Sequence, residues 1–315
     1  MTTRAEVAPD QSSEQSAKGK DKGQGRRGNF TGFWFVLPFL VAYALFFIWP
    51  VLLGLSTSFF DRSLVLSGAG SFLGLANYGE LLRDPDFWSS LWHTVLFTIL
   101  STPPLVLIAL ILALLTNRLR YFQWFFRFSF FAPYVLPVSV VTLIWIWLYQ
   151  PGFGLVNGTL TAIGLPEIGW LTDEGVAMVA VVITTVWWTL GFNFVLYLAG
   201  LQEIPQNLYD AAATDGANGW AQTRWITLPL LARTTGLVLV LQILASLKVF
   251  DQFILMQPTG GPGFSTRPVL QYVYEQGFTS YRIGYASAMS YAFFLIIIVV
   301  SLVWFITANR REGSA

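Results

Sequence analysis

Six stretches of this chain are each long and apolar enough to cross a bilayer, and they take up most of its length: residues 33–60, 92–115, 126–149, 176–201, 230–256 and 283–308. A helix rises about 1.5 Å per residue, so roughly 20 apolar residues cross a hydrocarbon core about 30 Å thick. Water is absent from that core, so each run must close its own backbone hydrogen bonds as a helix. The charge content agrees. Only 11% of residues are charged and 55% are hydrophobic, whereas about a quarter of an ordinary soluble chain is charged. The expected fold class is an all-α integral membrane protein with six transmembrane helices. Several runs exceed the minimum length, which predicts tilt or interfacial extension.

Lys and Arg set the orientation, because they gather on the cytoplasmic side. Thirteen lie in the N-terminal tail, the second and fourth loops and the C-terminus; four, Arg62, Arg83, Arg267 and Arg282, lie on the opposite side. Lys248 falls inside a span. Both termini are therefore expected in the cytoplasm. Residues 1–29 are rich in Ser, Gln, Gly, Lys and Asp, a composition that cannot bury enough surface to offset chain entropy. They read as a disordered cytoplasmic tail, not a cleaved signal peptide, since the first apolar run starts too late. Residues 30–310 form the membrane domain, and 311–315 a second cytoplasmic tail.

Between the fourth and fifth runs lies an island of small and polar residues, Tyr209-Asp210-Ala211-Ala212-Ala213-Thr214-Asp215-Gly216-Ala217, leading to Leu228-Pro229. Asn207 can cap a helix beginning at Leu208, which puts the Asp210 carboxylate at the third position, near the positive end of the dipole. Three alanines let another surface approach the backbone closely. Gly216 can stop the helix in the left-handed conformation. A second short helix over 220–225, before Pro229 opens the next span, would complete a protruding knob. An ordinary capped turn fits the same residues.

Asp210-Ala211-Ala212, Asp215-Gly216-Ala217 and Leu228-Pro229 resemble, in order and spacing, the cytoplasmic docking loop in the membrane subunits of binding-protein-dependent ABC importers. That loop usually has Glu where Asp210 stands and an aromatic where Thr223 stands; Trp220 or Trp225 can take the latter's place. Further segments are similar to the carbohydrate-uptake branch, which includes maltose, trehalose and glycerol-3-phosphate permeases. They are Asn77-Tyr78, Asp84-Pro85 with Phe87-Trp88 and Thr94, Ala132-Pro133-Tyr134 with Pro137, Leu198–Gln202 with Ile204-Pro205, and Gly260-Gly261-Pro262-Gly263 with Thr266 and Tyr274. His93 stands where the branch commonly has Asn. The resemblance implies the type I ABC importer transmembrane fold in a multi-pass protein of the bacterial cytoplasmic membrane. It implies a second homologous permease subunit, a dimer of ABC ATPases docked at Asp210, Ala211, Ala212, Asp215, Gly216, Ala217 and Pro229, and an extracytoplasmic solute-binding protein. The cargo it implies is a disaccharide or oligosaccharide, with glycerol-3-phosphate as the alternative.

Polar residues inside the runs form helical columns. Thr185, Thr189, Asn193 and Tyr197 recur every four residues on the fourth, and Gln242 and Ser246 share a face of the fifth. Polar groups at this depth face protein or a wet cavity. The columns read either as a pathway lining that offers hydrogen bonds to hydroxyls or as helix–helix glue. The expected pathway set is Tyr134, Thr185, Thr189, Asn193, Gln242, Ser246 and Lys248, with Tyr134 carried by the resemblance to maltose permeases. Lys248 and Asp251, three apart, are placed to pair on one helix, either as a structural ion pair or as a phosphate-attracting site. Trp145, Trp147, Trp187 and Trp188 read as facing lipid or core, with one of them stacking on a sugar ring in the pathway as the alternative.

Other chemistries find no support. The chain has no cysteine and one histidine, His93. It contains no Gly-x-x-x-x-Gly-Lys-Ser/Thr loop to cradle a nucleotide, so ATP and its Mg²⁺ are expected on the partner ATPase. No carboxylate, His or nucleophile set has metal-ligand or catalytic spacing, and nothing is expected to bind nucleic acid. An ion-coupled secondary transporter would need an ionisable relay through the spans, for which only Lys248 and Asp251 qualify.

Overall fold

The computed structural model describes residues 30–63, 70–119 and 121–312. The tail expected over 1–29 lies outside the described residues, as do residues 313–315 of the second tail, whose first two residues continue the last helix. The chain divides into two compact units, 1–53 and 54–315. In the first, α1 (Phe30–Tyr43) leads through a wider π-type turn, Ala44–Ile48, into α2 (Trp49–Thr57), whose last four residues belong to the second unit. Large apolar side chains are exposed all round this unit, and Phe39, Tyr43 and Phe47 stack along one edge. The first run therefore stops at Thr57 rather than at residue 60: Phe60–Asp61 (β1) pairs antiparallel with Ser71–Phe72 (β2), a two-residue ladder in an otherwise helical chain.

The rest of the second unit begins with α3 (Ala76–Arg83) and the 34-residue α4 (Pro85–Arg118). The Asp84 side chain caps α4 by accepting from the Asp86 and Phe87 amides, with Pro85 at the first helical position, where its missing N–H costs nothing. The third run is not one straight span. It is α5 (Gln123–Val135) and α6 (Val138–Leu148), bent by 96° at Leu136-Pro137. Pro137 lacks an N–H and pushes Leu136 into extended geometry, ψ 138. The loop beyond contains α7 (Leu155–Ala162), and α8 (Glu174–Gln202) follows.

Next come α9 (Gln206–Thr214), α10 (Gly219–Gln222), a π-type turn at Thr223–Thr227 and α11 (Leu228–Leu230). The expected fifth span is broken twice. It bends by 59° before α12 (Ala232–Leu247) and stops again before α13 (Asp251–Met256). The chain closes with α14 (Val269–Tyr274) and α15 (Ile283–Glu312). Among the described residues four helices are long and apolar enough to cross a membrane, and up to six spans result if each bent pair counts as one.

Packing gathers these helices around α4 and α8. Val106, Ala109 and Ala113 of α4 meet Phe194, Tyr197 and Leu198 of α8 and Val238 of α12. A second cluster joins Phe97 to Met178, Val181 and Phe253, and a third joins Phe87 to Tyr272, Tyr285 and Met289. At Gly191 the backbones of α5 and α8 touch, because any Cβ there would run into Phe130 O and Phe131 Cα. Nothing larger than glycine fits without prying the two helices apart.

Candidate functional site

The knob forms, with one shift from its expected register. Helix α9 starts at Gln206 behind Pro205, so Asn207 is inside it and caps nothing; Asp210 is its fifth residue, not its third. Pro205 takes over because its fixed φ suits the helix entry, here −62. The C-terminus behaves as its residues predict. Gly216 has φ 85, its N–H donates to Ala213 O, and the Ala217 N–H reaches back to Ala212 O at 2.8 Å, closing a Schellman turn. Asn218 then caps α10 by accepting from the Ala221 amide at 2.9 Å. The second short helix thus begins at Gly219. Pro229 lies within α11, and the next long helix starts only after the bend at Leu231.

Tyr209 Oη meets Thr227 Oγ1 at 3.0 Å, locking α9 against the return limb. Arg118, from the end of α4, donates to Gly219 O at 3.0 Å and to Thr223 Oγ1. Thr223, where the resembled loop carries an aromatic, is buried in this contact. Trp220 and Trp225 are 72% exposed, and Asp210, Ala211, Asp215, Gly216 and Pro229 are exposed with them. The result is a two-limbed projection with a bare small-residue edge and two exposed indoles, the Trp225 ring lying under the Arg224 guanidinium at 5.0 Å.

The polar columns converge. A cavity of about 420 Å³ is lined by Tyr134, Thr185, Thr189, Gln242, Ser246 and Lys248, six of the seven expected pathway residues, together with Phe97, Trp188, Phe192 and Gln252. The seventh, Asn193, is wholly buried behind the wall and donates to Gln242 Oε1 at 2.9 Å. Gln242 Nε2 in turn donates to Ser246 Oγ at 3.1 Å, and Ser246 meets Ser101 Oγ of α4 at the same distance. One polar chain therefore crosses α8, α12 and α4. Tyr134 stacks on Phe192, with ring centroids 5.5 Å apart.

Lys248 and Asp251 do not pair. Helix α12 ends at Leu247, and Phe250, at φ −145 and ψ −61, turns the chain out of helical geometry. The three-residue spacing therefore no longer stacks them on one face. Both are exposed, both line the cavity, and among the described residues neither takes part in an ion pair. Of the two placements open to it, Trp188 takes the cavity: its indole N–H donates to Leu136 O at the α5–α6 bend, and the residue lines the cavity. Trp147 is 56% exposed, while Trp145 packs on Tyr149 and Trp187. Sequence reasoning missed Gln252, buried and accepting from Thr185 Oγ1 at 2.8 Å; it lies beyond the break at Lys248–Phe250, across which helical spacing gives no signal.

A third polar cluster sits at the start of α4. Tyr272 and Tyr285 donate to Asp84 Oδ2 at 2.8 and 2.5 Å. Buried Arg267 reaches Asp86 at 2.8 Å and Glu275 at 3.5 Å, between the rings of Phe264 and Tyr272. Burial by itself would raise the Asp84 carboxyl. The hydrogen bonds from Tyr285, Tyr272 and the Phe87 and Asp86 amides outweigh it and hold the group below the ordinary carboxylate value. Among the described residues no three of His, Cys, Asp and Glu come together as a metal site.

The family model described as "Binding-protein-dependent transport system inner membrane component" matches residues 67–311. The chain is similar to the sulfoquinovosyl glycerol transport system permease protein SmoG of Agrobacterium fabrum, at 35% identity over 85% of this chain and 86% of that protein. It is 34% identical to the lactose transport system permease protein LacF of Rhizobium radiobacter, over 89% and 95% of the two chains. A chain of a bacterial alginate ABC transporter, solved in complex with an alginate pentasaccharide-bound periplasmic protein, superposes with a TM-score of 0.80 over 90% of this chain and 96% of that one, at 24% identity.

Proposed function

This chain belongs to the binding-protein-dependent transport system inner membrane components, and on that premise we propose that it forms half of the passage through which an ATP-driven importer moves a sugar into the cell. It is a permease subunit and not an enzyme; ATP hydrolysis belongs to a separate subunit. The cargo in this reading is a disaccharide or oligosaccharide. The observation that carries it is the cavity, where the polar residues Thr185, Thr189, Gln242 and Ser246 line one space beside Tyr134 and Trp188. Such a wall offers hydrogen bonds and flat rings, which suit a sugar's hydroxyls and C–H faces.

The same reading gives residues 30–310 six spans, counting each bent pair once, with both tails and the 206–230 knob in the cytoplasm of a bacterial inner membrane. A homologous permease lies alongside, a dimer of ATPases docks on the knob, and an extracytoplasmic solute-binding protein delivers the cargo. ATP and Mg²⁺ stay on the ATPases. Closure of the ATPase dimer drags the knob and flips the cavity between its two faces, which requires only that the site differ between the two states. A second cargo, glycerol-3-phosphate or another anionic sugar derivative, is favoured by the unpaired Lys248 in the cavity wall.

Uptake by the complete complex in sealed vesicles tests this. With ATP inside and the proton gradient collapsed, transport should persist; with ATP withdrawn it should stop. Transport that follows the gradient instead would mean an ion-coupled carrier. Mass spectrometry of the ligand held by the co-purified binding protein then names the cargo.

A further inference from the structure

We infer that Arg118 is a positioning residue that ties the 206–230 knob to the end of α4, so that the knob follows α4 as well as the two helices it is joined to through the backbone. The inference rests on the docking reading above. An arginine in the last turn of a helix ordinarily serves that helix's own carbonyl ends. The Arg118 hydrogen bonds go elsewhere: Nη2 donates to Gly219 O at 3.0 Å and to Thr223 Oγ1, 101 and 105 residues away. Thr223 also donates to Gly219 O at 2.8 Å, so guanidinium, hydroxyl and carbonyl close a triangle around the first turn of α10. Arg118 and Gly219 are exposed, and Thr223, only 9% exposed, is the corner of the triangle that is shielded from solvent.

Helix α4 is well placed to carry a signal. It stays unbroken through Pro103-Pro104. Its first end is held by Asp84, to which Tyr272 and Tyr285 donate. Midway, Ser101 meets Ser246 of the cavity wall. Its last residue holds the knob. A shift of the cavity wall against α4 therefore reaches the docking surface without passing through the bend at Leu231. A guanidinium suits this task because its planar fork serves two acceptors at fixed angles, whereas an ammonium is a single swivelling point charge.

The test uses the intact complex with Arg118→Gln, Arg118→Lys, Thr223→Val and the double change Arg118→Gln/Thr223→Val, with Gly216→Val alongside. Co-purification of the ATPase, the rate of ATP hydrolysis and the cargo moved per ATP are measured for each. In Arg118→Gln the ATPase should remain bound while cargo per ATP falls roughly two- to tenfold. Arg118→Lys should recover part of that loss, and the double change should be no worse than Arg118→Gln alone. A wild-type ratio in Arg118→Gln overturns the proposal. So does a lower yield of complex with an unchanged ratio in what assembles, because the contact then serves folding only. The control separates the two ideas. If Gly216→Val keeps its ATPase, the docking reading fails; if Gly216→Val sheds it while Arg118→Gln retains the wild-type ratio, only the role of Arg118 fails.

Discussion

Asn193 and Gln242, 49 residues apart, are joined by a buried hydrogen bond of 2.9 Å from Nδ2 to Oε1. The bond fixes which way the Gln242 amide faces. With its oxygen engaged by Asn193, its Nε2 is directed to Ser246, and the pair presents a set pattern to the cavity. Asn193 stands outside that cavity, so any effect it has on cargo passes through Gln242.

That relationship makes a kinetic prediction. Gln242→Ala should raise the half-saturating cargo concentration a few-fold to about tenfold, the worth of one neutral hydrogen bond at about 0.5–1.5 kcal/mol. Asn193→Ala should do the same to a smaller extent, and the double change should not exceed Gln242→Ala. Initial uptake rates across a concentration series would show this. Wild-type kinetics in alanine variants at Thr189, Asn193, Gln242 and Ser246 would reduce the polar chain to helix packing.

Lys248 reports on cargo charge. Since it does not pair with Asp251, Lys248→Gln and Asp251→Asn should act independently, and the double change should rescue neither. With an anionic sugar, Lys248→Gln should lower uptake more than about tenfold, because a hydrogen bond to a charged group contributes about 1.5–3 kcal/mol. With a neutral sugar the loss should stay within a few-fold. Parallel uptake of one neutral and one anionic candidate separates the cases, and mutual rescue would show that the two residues pair during transport.

Gly216 tests the knob. At φ 85 a β-branched side chain is strained by about 1–2 kcal/mol, although open space surrounds the position. Gly216→Val should insert normally yet lose most of its ATPase on purification. Gly216→Asn, which tolerates the left-handed region, should retain it. Equal retention in both would overturn docking on this knob.

Asp84 predicts an acid sensitivity with a definite sign. Its carboxyl titrates below the ordinary value of about 4, so the folded chain favours the charged form. Its contribution is complete above that ordinary value and is lost as the pH falls through the lowered one. Melting temperatures in detergent should therefore drop more steeply between pH 7 and pH 3 for the wild type than for Asp84→Asn. Parallel slopes would contradict the assignment.

The apolar runs, the Gly216 stop and the convergence of α8 with α12 were legible in the sequence, because each follows from a local rule of composition, backbone freedom or helical period. The bends were harder to see. Pro137 breaks its run, whereas Pro103, Pro104 and Pro133 sit inside helices, so proline alone does not mark a bend. At Lys248–Phe250 there is neither Gly nor Pro. The helix ends there through packing by residues distant in sequence, such as Val181 and Phe97 against Phe253. The Lys248–Asp251 pairing assumed helix continuity and failed with it. The shifted start of α9 shows a smaller competition, in which Pro205 took the role assigned to Asn207.

The glycine contact between α5 and α8 bears on how such a molecule wears and adapts. Where two backbones touch, no side chain is left to repack, so thermal agitation cannot be absorbed at that seam. One added methyl at Gly191 acts as a wedge whose displacement is felt along both rods. Mechanical compliance is left to the joints at Leu136-Pro137, Leu231 and Lys248–Phe250. Evolutionary drift or laboratory engineering can tune those joints one residue at a time, while the seam admits no graded change.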